Sequence, residues 1–154
     1  MKLGSYMLFA RPVRWLAMTA WALALLASVA PAHAAPFTAA DEKSVHAVVE
    51  GQLGAFERDD ASKAFAYAAP NVREAVGTAA NFMAMVRNSY PVVYRPASVG
   101  FLKPEGRNDL AIQRVQMTDA SGDSWLAIYS LERQKNKSWR ITGCVVVENK
   151  GRMA

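Results

Sequence analysis

Cysteine is almost absent from this chain of 154 residues. Cys144 stands alone, so no intramolecular disulfide forms and no thiolate cluster holds a metal. Histidine is nearly as scarce. His33 falls in a removable leader described below, which leaves His46 as the one imidazole of the folded part. A stable metal site needs three or four convergent ligands, so neither a structural metal nor any other cofactor is expected. An excess of charge is missing too. The formal net charge of +5 includes Lys2, Arg11 and Arg14, and without them 15 basic and 13 acidic residues remain, a net of +2. That balance gives no electrostatic reason to expect nucleic acid or an anionic membrane surface as a partner. There is no repeat and no low-complexity segment.

One long apolar run is present, residues 15–30, and it carries no charge. Basic residues precede it, Pro31 breaks it, and Ala32-His-Ala34 supplies the small-x-small pattern that a signal peptidase accepts. Residues 1–34 are therefore expected to be a cleaved export signal, with Met7 as a second possible start. The sixteen apolar residues are short of the roughly 20 that a spanning helix needs, so no stable membrane anchor is expected after cleavage. No cysteine follows the run, which excludes a lipoprotein anchor, and Arg11 and Arg14 are not adjacent as a twin-arginine signal requires. The mature protein is expected outside the cytoplasm, periplasmic or secreted, as one domain over residues 35–149 with a polar tail at 150–154.

Helix signals fill the first half of that domain. Thr38 is a fitting N-cap, Asp41 and Glu42 occupy the first turn, and Phe37 is placed as a hydrophobic staple. Val45, Val48, Val49, Gln52 and Phe56 follow helical spacing, with Leu53 filling the stripe. Asp59 or Asp60 caps a short helix over 61–68 that Pro70 stops, and one more turn over 71–76 ends at Gly77. Thr78 caps a further helix over 79–89 with Phe82, Met83, Met85 and Val86 on one side. Pro91 and Pro96 then bracket a passage expected to be extended.

Strand signals fill the second half. Residues 97–102 read as a strand, 104–106 as a turn, and 110–118 as the next strand. In that strand the apolar parity switches from Leu110 and Ile112 to Val115 and Met117, which predicts a bulge near Gln113 and Arg114. The chain is organised around a long hairpin, with apolar runs at 125–131 and 139–147 and a polar turn in which Asn136 is expected to take positive φ. An isolated hairpin is marginal in water, so the helices must form its covering layer. The fold class is α+β, helices packed on a curved four-stranded antiparallel sheet.

Alternation along the hairpin puts Trp125, Ala127, Tyr129 and Leu131 on the helix-facing side, together with Trp139, Ile141, Gly143 and Val145. Leu126, Ile128, Thr142, Cys144 and Val146 then form the opposite face. That face is too apolar for water, and a homodimer through it is expected. Cys144, lying within a strand, is expected to be a buried and unreactive thiol.

Several residue strings carry a family resemblance. They are Asp59-Asp60 with Ala64-Phe65 and Tyr67-Ala-Ala-Pro70, then Phe82-Met-Ala-Met-Val86 with Tyr90, and Tyr94-Arg-Pro96. Gln113-Arg-Val115, Trp125 with Tyr129, Leu131-Glu-Arg-Gln134 and Trp139-Arg-Ile-Thr-Gly-Cys144 continue it, the last being the most specific. On these the chain resembles the nuclear-transport-factor-2-like cone fold, and more closely the bacterial family called domain of unknown function 4864. The resemblance covers residues 48–147. It implies a cone fold and export, and it brings no catalytic residues.

Tyr67, Tyr90, Tyr94 and Tyr129 are candidates to line a pocket in such a cone. Arg114 is either a charged donor at its mouth or a strand arginine whose stem covers apolar surface. The first functional expectation is an exported, non-catalytic module that binds a small apolar or amphipathic ligand in the cone, or a protein partner on the sheet. The alternative is an isomerase, dehydratase or cyclase with Tyr94 or Arg114 as polarising groups. A third is a structural subunit that works only as an oligomer. No strand position between apolar neighbours carries an acid, which weakens the enzyme reading.

Overall fold

The computed structural model describes residues 36–150, so the export signal read over residues 1–34 lies outside the described residues. Helix α1 (Ala39–Glu57) starts at Thr38 through a reciprocal cap. The Thr38 hydroxyl accepts the Asp41 amide at 3.2 Å, and the Asp41 carboxylate accepts the Thr38 amide at 3.0 Å. Two otherwise unpaired N–H groups are satisfied this way. Val45, Val49, Leu53 and Phe56 form the buried stripe that the spacing predicts.

Asp60 caps α2 (Ala61–Ala66) by accepting the Lys63 amide at 3.0 Å. Helix α3 (Pro70–Val76) begins on a proline and stops at Gly77, whose φ of 87° suits a residue without a side chain. Thr78 caps α4 (Ala79–Ser89), which buries Phe82, Met83 and Val86. Residues 91–94, expected to be extended, form instead a single helical turn, α5 (Pro91–Tyr94), with Val92 and Val93 buried. The reason is positional. A proline at the first helical residue gives up only an N–H that would be unpaired anyway.

The sheet is open and antiparallel, and it has five strands among the described residues, not four. They are β1 (Ser98–Phe101), β2 (Glu105–Arg107), β3 (Leu110–Thr118), β4 (Ser124–Arg133) and β5 (Trp139–Glu148). The order is β1-β3-β4-β5, with β2 also paired to β3. Residues 104–106, read as a turn, contribute most of that extra short strand. In the hairpin turn Lys137, not Asn136, takes positive φ (68°), while the Asn136 side chain accepts the Ser138 amide at 3.1 Å.

The predicted bulge at Gln113 is absent from β3, which pairs with β4 without a shift from Leu110↔Glu132 to Thr118↔Ser124. Ala111, Gln113, Val115 and Met117 all point to the buried side. The irregularity lies in the edge partner, where Phe101 pairs with Val115 but Glu105 pairs with Ile112. Gln113 faces that gap. Its amide nitrogen donates to the carbonyls of Leu102 at 2.6 Å and Arg114 at 2.9 Å. A buried polar side chain therefore occupies a position where alternation calls for an apolar one.

A second irregularity was not anticipated. Ser130 pairs with Gly143 and Leu131 with Ile141, so Thr142 is an extra residue in β5. Trp139 and Ile141 face the helices as expected. Beyond the bulge the parity inverts. Cys144 and Val146, opposite Tyr129 and Ala127, join the inner side, and Val145 and Val147, opposite Ile128 and Leu126, turn outward. The face read from simple alternation is corrected accordingly: Leu126 and Ile128 stay outside, Thr142 is the bulge, and Cys144 and Val146 pack on the core.

Helices and sheet are tied together at the start of α1. Arg133 at the end of β4 reaches Asp41 at 2.9 Å and lies over the Trp139 ring, 4.8 Å from its centroid. The Thr38 backbone N–H holds the Asp41 carboxyl below the ordinary carboxylate value, with Arg133 adding to the effect and burial opposing it. Asp41→Ala removes a helix cap and leaves the largely buried Arg133 guanidinium with only the exposed Asp109, at 3.3 Å, as an acidic partner, at an expected cost of about 2–4 kcal/mol in urea unfolding. Because the folded-state value is depressed, the contribution is present above the unfolded carboxylate value and is lost as pH falls through the folded one. The difference between wild type and Asp41→Ala should therefore shrink between about pH 5 and pH 2. A variant as stable as wild type at neutral pH contradicts the clamp.

Candidate ligand cavity

The Thr142 bulge leaves room on the inner side of β5, and the helices do not fill it. A cavity of about 220 Å³ lies there, walled by Ile141, Gly143 and Cys144 of β5 and by Tyr129 of β4. Phe56 and Gln52 of α1 close one side. Phe82, Met85 and Val86, on one flank of α4 through their 3-4 spacing, close another. Met85 of the wall is exposed, and Val72, from a helix none of whose residues is buried, is half-buried.

The wall holds no charged side chain. Its polar groups are few. The buried Gln52 is fixed by donating from its amide nitrogen to the Ala64 carbonyl at 3.1 Å. Tyr129 is only 1% exposed, and its hydroxyl is buried out of reach of a water-sized molecule, with the Cys144 thiol as its polar neighbour. Burial, and then the neighbouring Cys144, push its ionisation well above that of a free phenol. Burial pushes the Cys144 thiol up to about 12, with Tyr129 pulling weakly the other way. Both groups are neutral at physiological pH.

Two of the five pocket candidates, Tyr90 and Tyr129, come together in this wall. Tyr67 does not line it. That ring crosses α1 at Gly51, where a Cβ would overlap the tyrosine hydroxyl. Tyr94 belongs to a separate surface cluster. Its hydroxyl donates to Asp59, a residue at φ 55°, and Arg87 and Arg95 reach the same carboxylate at 3.2 and 2.7 Å. The two guanidinium groups sit 5.0 and 4.9 Å from the Tyr94 ring centroid. The Tyr94 hydroxyl holds the Asp59 carboxyl below its ordinary value, and the arginines add to this. Arg114 stands on the outer sheet face and pairs with Glu105 at 2.8 Å. Thr142 donates to the Ser130 carbonyl at 3.1 Å, and Val146 lies beside Tyr90 and Trp125.

Sequence reasoning placed Phe56, Phe82, Met85 and Val86 on apolar helix faces but gave them only packing roles. Gln52 carried a signal, a polar residue within the apolar stripe of α1. Gly143 and Cys144 enter the wall only through the bulge. Among the described residues no three His, Cys, Asp or Glu side chains converge as a metal site requires, and no helix is long and apolar enough to cross a membrane.

Fold and cavity together define an α+β domain with an uncharged inner chamber. The profile described as Domain of unknown function (DUF4864) matches residues 38–154, and the chain belongs to that family. No curated protein and no solved structure matches the chain.

A thiol raised to about 12 is almost wholly protonated at pH 8. Alkylation of Cys144 in the native protein is expected to run at least about a hundredfold slower than in the urea-unfolded chain at that pH. Comparable rates, or a disulfide-linked dimer on a non-reducing gel, would refute the burial of this group.

Proposed function

We propose that this protein is a non-catalytic binding module of the nuclear-transport-factor-2-like cone type that takes a small apolar or amphipathic ligand in the chamber behind β5. The carrying observation is the wall itself: apolar side chains from four helices and two strands, with no charged group among them. Ligand sites have this character, a mostly apolar lining with few polar groups. The isomerase, dehydratase or cyclase alternative draws less support. Its polarising groups, Tyr94 and Arg114, are engaged by Asp59 and Glu105 away from the chamber.

Titration with p-xylene, followed by amide NMR shifts, tests the reading. Saturable shifts centred on Gln52, Val86 and Cys144 are expected, with affinity on the order of 1 mM or tighter. Met85→Trp at the exposed edge of the wall should weaken binding without lowering the melting temperature. Shifts scattered over the surface, or none, would defeat the proposal.

A second reading, a homodimer through the outer face of the sheet, is favoured by one further observation. Val145 is 59% and Val147 42% exposed, and they lie beside Leu126 and Ile128. An apolar centre with the Arg114–Glu105 pair at its border suits an isologous contact. Export belongs to the same proposal and rests on residues 1–34. Protein recovered from outside the cytoplasm should have an intact mass beginning at Ala35, and should scatter light as a dimer that Val145→Lys converts to monomer. A wild-type monomer at micromolar concentration rules out the dimer, and a mass that retains residues 1–34 rules out cleavage.

A further inference from the structure

We propose that the open edge of β1, with the cleft between it and α1, is a strand-addition site for an extended peptide segment of another protein that carries lysine or arginine.

The backbone supplies the first half of the site. β1 stands at the end of the strand order, with β3 as its one partner among the described residues. Leu102 donates its N–H to the Arg114 carbonyl at 3.0 Å, which fixes the alternation of this ladder. Ser98 and Gly100 share that parity and bond to β3. Val99 and Phe101 therefore turn their N–H and C=O groups away from it. Among the described residues no hydrogen bond takes these groups up. The edge at β5 is bridged at Ala68, but β1 has no such cover. Its sequence, Ser-Val-Gly-Phe, also lacks the charges and prolines that blunt an edge.

The cleft supplies the second half. It measures about 480 Å³ and has Leu53, Val99 and Phe101 as apolar walls. The Phe101 ring lies 4.2 Å from the His46 ring, which holds β1 beside α1. Glu50 and Glu57, two helical turns apart on one side of α1, face the same cleft. Arg95 is at the cleft too, but Asp59 engages it at 2.7 Å. The charge left for a visitor is acidic. A lysine or arginine of an added strand can lay its stem over Leu53 and Val99 and bring its cation to either glutamate. The β1 strand of a second copy carries no cation to do this. Specificity by side chain and affinity by main chain is the division of labour that strand addition uses.

The probe is a capped seven-residue peptide alternating threonine with lysine, titrated into the protein and followed by amide NMR shifts and hydrogen exchange. Saturable binding is expected, with exchange at the Val99 and Phe101 amides slowed at least about fivefold. A glutamate-for-lysine version should bind at least about fivefold more weakly. Val99→Pro removes one outward N–H and leaves the β1–β3 ladder intact, and should cost about fivefold in affinity for the lysine peptide. Glu50→Lys with Glu57→Lys, both at exposed positions, should exchange the preference between the two peptides. No binding at about 1 mM peptide, equal binding of both peptides, or binding without protection of Val99 and Phe101 overturns the proposal. A wild-type dimer that Val99→Pro dissociates assigns the edge to a second copy and overturns it as well. If Val99→Pro does not fold, the protected amides and the charge exchange decide.

Discussion

The single extra residue at Thr142 governs what lies on each side of the sheet. In a regular ten-residue strand every second side chain faces the helices, and a slip of one residue exchanges the two faces. Here the exchange happens inside β5. Trp139 and Ile141 point inward before the bulge, and Cys144 and Val146 do so after it. The Thr142 hydroxyl donates to the Ser130 carbonyl at 3.1 Å, which offsets part of the broken ladder. The cavity lies at this spot, with Ile141, Gly143 and Cys144 on either side of the bulge in its wall. With unbroken alternation from Ile141, Gly143 would stand opposite Tyr129 where Cys144 is now, and Cys144 would turn outward.

β5 is also an edge strand, and its free edge is covered by the chain between α2 and α3. Ile141 donates to the Tyr67 carbonyl at 2.9 Å and accepts from Ala69 at 2.8 Å, a short parallel bridge centred on Ala68. That pairing occupies groups an edge strand would otherwise present to other chains. Two residues away, beside the hairpin turn, the Asp41–Arg133–Trp139 cluster and the Phe37 ring, edge-on to Trp139 at 6.0 Å, fix α1 on the sheet. Phe37 presses so closely on Gly106 that any larger residue there would overlap it.

Helix starts were the most legible part of the chain. Thr38, Asp60 and Thr78 cap where their chemistry predicts, because capping is decided by a residue and its neighbours three positions on. The hairpin and β3 were legible through β-branched and aromatic density. The errors within the sheet have one physical origin, that a strand's partner is not written in the strand. Gln113 looked like a parity break in β3, but the break belongs to the edge chain at Leu102. Val145 and Cys144 looked correctly alternated, but the register against β4 reverses them. Pro91 read as a breaker, although at a first helical position it is compatible with a turn. Of the tyrosines read as pocket candidates, Tyr90 and Tyr129 line the cavity and Tyr67 and Tyr94 do not, since aromatic residues mark cores, surfaces and pockets alike. Arg114 was left with two readings, and its ion pair with Glu105 on the outer face matches the one in which its stem lies over the sheet.

Two buried polar side chains of the sheet, Gln113 and Tyr129, sit in different surroundings. Gln113 faces a gap in the edge chain and donates its amide nitrogen to two backbone carbonyls there, while its Oε1 is left without a partner among the described residues. Tyr129 faces inward just past the bulge, with its hydroxyl buried beside Cys144. The bulge at Thr142 is what puts Cys144 on that inner side. It sends Val145 and Val147 to the opposite surface as well, on the same two strands whose alternate residues form the wall. In the reading proposed above, ligand and second copy would therefore meet at opposite faces of one short segment, Tyr129 and Cys144 inside, Ile128 and Val145 outside. A change in the backbone of residues 143–145 then acts on both faces, and neither contact is independent of the other.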